Sequence, residues 1–422
     1  MTLTQEDKDW AAGVAAKIRE KEEKVAERNL GKIPYTAKDH VFDDRSGKND
    51  ISWWTNGFWG GMMWQLYKAT GHEIFKKNAV FTEETMDAVL MNYNGMDHDA
   101  GFRWLPTSVA RCRFSDTEES ASINRALLAA TNLAGRFNGG GNFIRAWNDW
   151  GDDRDTTGWA IIDCMMNLPL LYWASDVTKD PRFTQVAISH ADTAARSFIR
   201  EDGSVRHIVG FDPYTGKVDK DYGGQGYGEG SSWTRGQTWA LYGFGMSYLH
   251  TGKPEYLEIA KKVADTFVSR IPENGLIPVD FDQPADCTWQ DSTAGAIAAC
   301  GLLHLALLLE GSLSCKPVCG SPYYAGPRGP RAAKDPASAT VISERSPFTP
   351  DPAAARRYQD AALKLLKALD AENCDYDPAH DELLEKCTAA YHDKDHEFPI
   401  IYGDYYFIEA IWKLTGEELY IW

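Results

Sequence analysis

The chain has no basic tract. Its 61 acidic side chains outweigh 44 basic ones and leave a formal net charge of −17. A nucleic-acid partner is excluded on that ground, because such binding rests on Lys and Arg meeting phosphates. Any anionic ligand has to be held by a local pocket against the overall field. The opening MTLTQEDKDW has no apolar signal-peptide core. No run reaches the roughly 18 apolar residues of a membrane span, so no membrane partner and a cytoplasmic location are expected. Eight Cys, at 112, 164, 287, 300, 315, 319, 374 and 387, form no CxxC pair and are expected to be reduced core residues. Cys374, His380, Cys387, His392 and His396 lie close in sequence, but their spacing fits no closed zinc site. No metal and no cofactor are expected.

What is abundant is aromatic. Phe, Trp and Tyr make up 12% of the chain, with 15 Trp and 19 Tyr. That excess suits a large aromatic core, a carbohydrate site, or both, since flat rings stack on the C–H faces of sugars. With 422 residues, 43% of them apolar, the chain can bury a large core.

Residues 5–29 read as a charged amphipathic helix. A pattern then recurs: Tyr67-Lys-Ala-Thr-Gly71 before Phe75, Tyr248-Leu-His-Thr-Gly252 before Tyr256, and Trp412-Lys-Leu-Thr-Gly416 before Tyr420. Tyr172-Trp-Ala-Ser-Asp176 before Phe183 is a looser copy. Each reads as a helix ended by a left-handed cap, a short turn, and a second helix anchored by an aromatic. Gly135 and Gly311 are the natural positions of weaker turns. Six such hairpins would close into an all-α toroid, with a solenoid of the same units as the alternative. The first helices would then start together on the opposite face, which collects residues 53–56, Asp163, residues 231–235, residues 289–292 and residues 404–406. Helix N-termini there suit a carboxylate-bearing ligand. Residues 311–357, rich in Pro, Ala, Ser and basic side chains, read as an insertion into a single domain spanning 1–422. It is placed on the turn face and expected to be dispensable for chemistry.

Three constellations carry chemistry. Residues 159–173 are apolar except at Asp163, Asn167 and Pro169, and predict a buried helix with a bend at the proline. A buried, unpartnered carboxylate costs several kcal/mol or takes up a proton. Asp163 is therefore either a salt-bridged or capping residue, or one whose pKa is raised for a purpose. Asn167, one turn on, is placed to hold it. The second constellation, Met96-Asp-His98-Asp99-Ala-Gly-Phe102, has the composition of a turn or of a carboxylate site. The third is Gly223-Gly-Gln225-Gly-Tyr-Gly228 leading to Trp233-Thr-Arg235-Gly-Gln-Thr-Trp239. Its glycines fit no phosphate loop and no strand is expected before them, which leaves a rim around a pocket walled by Trp233, Arg235 and Trp239. Rings flanking a guanidinium suit an anionic sugar.

The set Trp54-Thr-x-Gly57-Phe58, His98-Asp99-x-Gly-Phe102, Trp159-x-Ile-Ile-Asp163-x-Met-Met-Asn167-Leu, His207 and Trp233-x-Arg235-Gly-Gln-x-Trp239 resembles the unsaturated glucuronyl hydrolases of glycoside hydrolase family 88. The resemblance runs from about residue 50 to about 295, and more weakly over the last 20 residues. It implies an (α/α)6 barrel, reached independently of the repeat. It also implies that Asp163 is the general acid/base and Asp99 the second catalytic carboxylate. Trp54, Trp147, His207, Gln225, Trp233, Arg235 and Trp239 would contact substrate, with Trp150 open as an alternative to Trp147. The implied substrate is an oligosaccharide ending in a 4,5-unsaturated uronic acid, and the implied reaction hydrates its C4=C5 vinyl ether. Asp99, if ionised, would lift the pKa of Asp163 further. A monomer or weak homodimer is expected. The 311–357 insertion departs from the family pattern. An unsaturated rhamnogalacturonyl hydrolase is the near rival; a sugar epimerase or a carbohydrate-binding toroid is the rival of another class.

Overall fold

A computed structural model describes residues 1–114, 120–148, 153–313 and 349–422. The chain opens with α1 (Gln5–Arg28), started by a capping box between Thr4 and Asp7. There follow α2 (Asn56–Thr70) and α3 (Glu73–Thr85), the single turn α4 (Asp87–Leu90), and α5 (Ala100–Trp104), which runs through a π turn into α6 (Ala110–Phe114). Next come α7 (Ser120–Gly135), α8 (Pro169–Thr178), α9 (Arg182–Ser197), α10 (Thr234–Thr251), α11 (Pro254–Ser269), α12 (Ser292–Leu309), α13 (Pro352–Glu372) and α14 (Ile401–Thr415).

They pair as six hairpins: α2 with α3, α5–α6 with α7, α8 with α9, α10 with α11, α12 with α13, and α14 with α1. The first member of each pair forms an inner wall; α10, α12 and α14 are buried along almost their whole length. The second members are amphipathic and cover that wall. This is the expected (α/α)6 barrel.

The turns behave as their residues dictate. Gly71, Gly252 and Gly416 sit at φ +74°, +70° and +80°, and each amide closes onto the carbonyl four residues back. Only a residue without Cβ takes that conformation freely. At the looser copy Lys179 occupies it, at φ +57°. Gly135 is different: it ends an outer helix, so the second hairpin does not turn there, and the link from α6 to α7 falls on residues 115–119, outside the described ones. After Gly416 no second helix follows, and α1 takes that place against α14.

Three further expectations change. Residues 159–173 are not one bent helix. They form strand β5 (Trp159–Ile161), a 3₁₀ turn (Ile162–Met166), and then α8 with Pro169 in its first turn. Proline has no N–H to donate there and a φ already suited to a helix start, so the residue that would have broken a helix begins one. The insertion ends earlier than composition suggests, since α13 begins at Pro352; its residues 314–348 lie outside the described ones, and so does its expected placement. Finally, α12 is long and apolar enough to cross a membrane, although 94% of it is buried inside the barrel.

Connections from an outer helix to the next inner one lie at the end opposite the Gly turns. Apart from the link between α12 and α13 they are the long ones, and they carry short antiparallel pairs: β1 (Ala37–Lys38) with β2 (Val41–Phe42), β3 (Phe137–Asn138) with β4 (Phe143–Ile144), and a sheet of order β5–β6–β7, with β6 at Ile208–Phe211 and β7 at Val218–Tyr222.

Candidate active site

The strands bring Asp163 and His207 together. Ile161 pairs with Ile208, the Ile162 amide donates to the His207 carbonyl at 3.1 Å, and the two side chains follow side by side. His207 Nε2 stands 3.8 Å from Asp163 Oδ1. β7, pairing on the far side of β6, delivers Gly223 and Gly224 across the His207 ring. Gly224 has φ +57°, and a Cβ there would lie 2.0 Å from His207 Nδ1, so no larger residue fits. The next amide, of Gln225, donates to His207 Nδ1 at 2.9 Å. That fixes the tautomer: Nδ1 accepts, and Nε2 carries the hydrogen toward Asp163. The strand before the Gly loop was not expected from the sequence. The loop itself is anchored by Asp280, which accepts from Ser231 Oγ and from the amides of Tyr227 and Ser232.

Asp99 is held from the other side. Asn167 Nδ2 donates to Asp99 Oδ1 at 3.3 Å and to the Asp163 carbonyl at 3.2 Å, while its Oδ1 accepts the Phe102 amide at 2.7 Å. Asn167 therefore ties both carboxylate-bearing segments together: it holds Asp163, as expected, through that residue's carbonyl, and it holds the Asp99 carboxylate as well. Gly101 allows the approach, since a Cβ on it would meet the Asn167 Cα at 2.4 Å. His98 has the opposite tautomer to His207. Its Nδ1 donates to the Ala146 carbonyl at 2.9 Å, so Nε2 is a bare acceptor 3.2 Å from Asp99 Oδ1. An acceptor facing a carboxylate oxygen is favourable when a proton lies between them.

The electrostatics agree. Burial raises the Asp163 carboxyl to about 7, against a partial lowering by Arg235. Asp99 is raised as well, by burial first and then by the negative charges of Asp97 and Asp163. Asp163 thus lifts Asp99, while burial, not Asp99, accounts for the shift of Asp163. Burial also drives His98 down to about 4 and His207 to about 3, so both imidazoles are neutral near pH 7.

From this pair a chain of ring contacts joins most of the expected substrate-contacting residues. Trp233 lies 4.2 Å from His207 and under the Arg235 guanidinium at 4.5 Å. Arg235 reaches Tyr402 at 5.5 Å, and Tyr402 packs on Trp54 at 5.1 Å. Trp147 stands edge-on to His98 at 5.6 Å; Trp150 lies outside the described residues. Gln225 Nε2 donates to the Ala389 carbonyl at 2.9 Å.

Two residues do not stand where the sequence placed them. Trp239, one turn beyond Arg235 on an inner helix, points down the barrel axis. It is 0% exposed and packs on Phe102 at 5.0 Å and Tyr406 at 5.7 Å, so it supports the site from below and walls no pocket. Arg235 is 1% exposed and ion-paired with Asp291, and its guanidinium also donates to the carbonyls of Thr388 and Ala389. It is not a bare cation awaiting a carboxylate. Asp291 caps α12, accepting from Thr293 N at 3.2 Å. Asp404 accepts the amides of Leu383 and Leu384 and has no part in the cleft. Asp280 and Tyr402 went unnoticed as site residues, because each reads as an ordinary loop or core residue; Asp291 belongs to the 289–292 cluster placed on the site face, but its pairing with Arg235 was not expected.

The five Cys and His of the zinc question do not converge. His380 stacks on His40 at 3.6 Å, His396 on Trp289 at 3.7 Å, and His392 Nε2 meets the Tyr227 carbonyl.

The sequence profile of Glycosyl Hydrolase Family 88 matches residues 21–306. The chain is 34% identical over 371 residues to an unsaturated glucuronyl hydrolase of Bacillus sp. (strain GL1), covering 87% of each. It is 31% identical over 374 residues to an unsaturated chondroitin disaccharide hydrolase of Streptococcus pyogenes serotype M1, covering 87% of this chain and 83% of that one. The crystal structure of an unsaturated glucuronyl hydrolase from Bacillus sp. GL1 matches with a TM-score of 0.78 at 29% identity over 96% of both chains. A structure of such an enzyme with dGlcA-Glc-Rha-Glc matches equally well. Fold, carboxylate pair and sequence agree: the chain belongs to glycosyl hydrolase family 88 and is a glycoside hydrolase.

Proposed function

We propose that the protein is an unsaturated glucuronyl hydrolase, which removes a 4,5-unsaturated uronic acid from the non-reducing end of oligosaccharides left by a polysaccharide lyase. The observation that carries this reading is the buried Asp163 carboxyl, raised to about 7 and facing a neutral imidazole across 3.8 Å. An acid of that pKa is protonated often enough at neutral pH to give a proton, and basic enough afterwards to take one.

Asp163 protonates C4 of the vinyl ether, and an oxocarbenium-like cation forms at C5. The Asp163 carboxylate then takes a proton from water as its oxygen adds to C5. The resulting hemiketal collapses, opening the ring and releasing the neighbouring sugar. The net change is addition of one water. Ordinary glycosidases act with two carboxylates on the glycosidic bond itself; here the second carboxylate, Asp99, holds substrate hydroxyls while Asn167 fixes its distance from Asp163. Because Arg235 is paired with Asp291, the substrate carboxylate is left to the N-terminal ends of the inner helices, whose dipoles favour an anion.

The test is direct. Lyase-generated unsaturated disaccharides lose the ultraviolet absorbance of their double bond when the enzyme is added. Asp163→Asn lowers turnover by about 10³-fold or more, with binding of the disaccharide retained. Substantial residual turnover in that variant removes Asp163 from its role.

A further inference from the structure

His207, Gln225 and Trp147 line a second space as well as the catalytic corner. A cleft of about 980 Å³ opens from them along the β5–β6–β7 sheet. Ligand pockets commonly measure about 300–1,000 Å³, so this one has room beyond the ring at Asp163. Its lining has two features. Trp159 and Tyr222, on the outer strands of the sheet, pack at 4.6 Å with planes tilted by 39°, and Trp147 stands edge-on to Trp159 at 6.3 Å. Such a row of rings suits the C–H faces of successive sugars. The charges are lopsided: Asp155, Asp212 and Asp219 against Arg154. Hydrogen bonds from Thr157 hold the Asp155 carboxyl below its usual range, and those from the Thr215 and Tyr214 amides do the same for Asp212, so both are ionised near neutral pH. His207, at the inner end, adds no positive charge.

We propose that this cleft binds the leaving saccharide, and that it selects a chain of neutral sugars over a sulfated one. The assignment rests on the hydrolase reading above, since a leaving group must be attached to the ring that Asp163 opens. A sulfated sugar brings negative charge into a space already edged by three carboxylates, which is unfavourable, the more so at low ionic strength. Neutral sugars lose nothing there and gain the aromatic floor.

The experiment compares three substrates by loss of double-bond absorbance at low and high salt: an unsaturated disaccharide, an unsaturated tetrasaccharide with neutral leaving sugars, and a tetrasaccharide of the same length with sulfated ones. The neutral tetrasaccharide is expected to exceed the disaccharide about tenfold in kcat/KM, the size of one good ring contact. The sulfated one should fall well below it, with the gap narrowing as salt rises. Tyr222→Ala brings the ratio of tetrasaccharide to disaccharide toward one. Asp219→Lys, at an exposed position that tolerates substitution, raises the sulfated substrate relative to the neutral one. Equal use of the two chain lengths by the native enzyme, or a preference for the sulfated tetrasaccharide, overturns the proposal. So does a sulfated-to-neutral ratio that Asp219→Lys leaves unmoved. No loss of absorbance with any of the three removes the hydrolase reading itself, and the cleft assignment with it.

Discussion

Burial raises the Asp163 carboxyl from the ordinary 3.8 to about 7, and the Arg235 guanidinium pulls the other way without cancelling it. The folded state therefore binds this proton more tightly than the unfolded chain does. Stability from the group is complete below about pH 4 and is lost as pH rises toward 7. Two measurements follow from the same shift. The kcat/KM should decline as pH passes through about 7, because the acid form starts the reaction. Asp163→Asn, inactive, should be more stable than the native enzyme by an amount that grows between pH 4 and 7 and levels off at about 2–4 kcal/mol in denaturant titrations. A gain that does not vary with pH would mean that the carboxyl is not titrating in the fold. The two histidines give an independent check of the proton arrangement. In ¹⁵N spectra of histidine-labelled protein, His98 should show a protonated Nδ1 and His207 a protonated Nε2, both still neutral at pH 6. The reverse tautomer at His98 would remove the acceptor proposed to face Asp99.

At the scale of the elements, the site hangs on how α10 and α12 begin. Arg235 in the first turn of α10 and Asp291 at the cap of α12 form a buried ion pair, and the same guanidinium ties down the Thr388–Ala389 backbone that receives Gln225. Arg235→Ala leaves Asp291 buried and unpaired. A loss of about 3–5 kcal/mol is expected in denaturant titration, with Arg235→Lys recovering part of it, since an ammonium restores charge but not the planar fork. A loss below about 1 kcal/mol would show that the pair is not a structural joint. What could be read from sequence divides along this line. Helices and their left-handed Gly caps were legible because each is a local event with its own residue chemistry. The strand pair that sets Asp163 beside His207 was not: three apolar residues, Trp159 to Ile161, look the same in a buried helix and in a buried strand. Pro169 was the clue, since a proline at a helix start is ordinary and one in the middle is costly. The long-range partners of Asp280 and Asp291 left no trace, because they stand 48 to 97 positions away.

For the whole molecule the question is how six hairpins with a shared axis keep that axis filled. The toroid was readable from the repeat, but not how it closes: α14 pairs with α1, and Trp422 turns back into the axis. Its Nε1 donates to Glu409 Oε2 at 2.7 Å, and its ring stacks on Tyr406 at 5.8 Å and meets Phe102 edge-on at 6.0 Å. Glu409 also accepts from the Tyr242 hydroxyl, and Lys413 bridges Glu409 and Glu418, so α10, α14 and the segment after it share one buried polar network. Phe102 lies on α5, three residues from Asp99, and packs on Trp239 from above. Packing therefore continues from Trp422 through Phe102 to the carboxylate pair. Trp422→Ala should cost about 3–5 kcal/mol, the range for emptying a large aromatic site, and more than Trp422→Phe, which keeps one ring while losing the bond to Glu409 and part of the indole's volume. Denaturant titration measures both, and kcat of the folded fraction reports the site: if the axis supports Asp99, the Ala variant loses turnover that the Phe variant retains. Equal stability of the two variants, or full activity in both, would mean that Trp422 covers the base of the barrel without bearing on the chemistry above it.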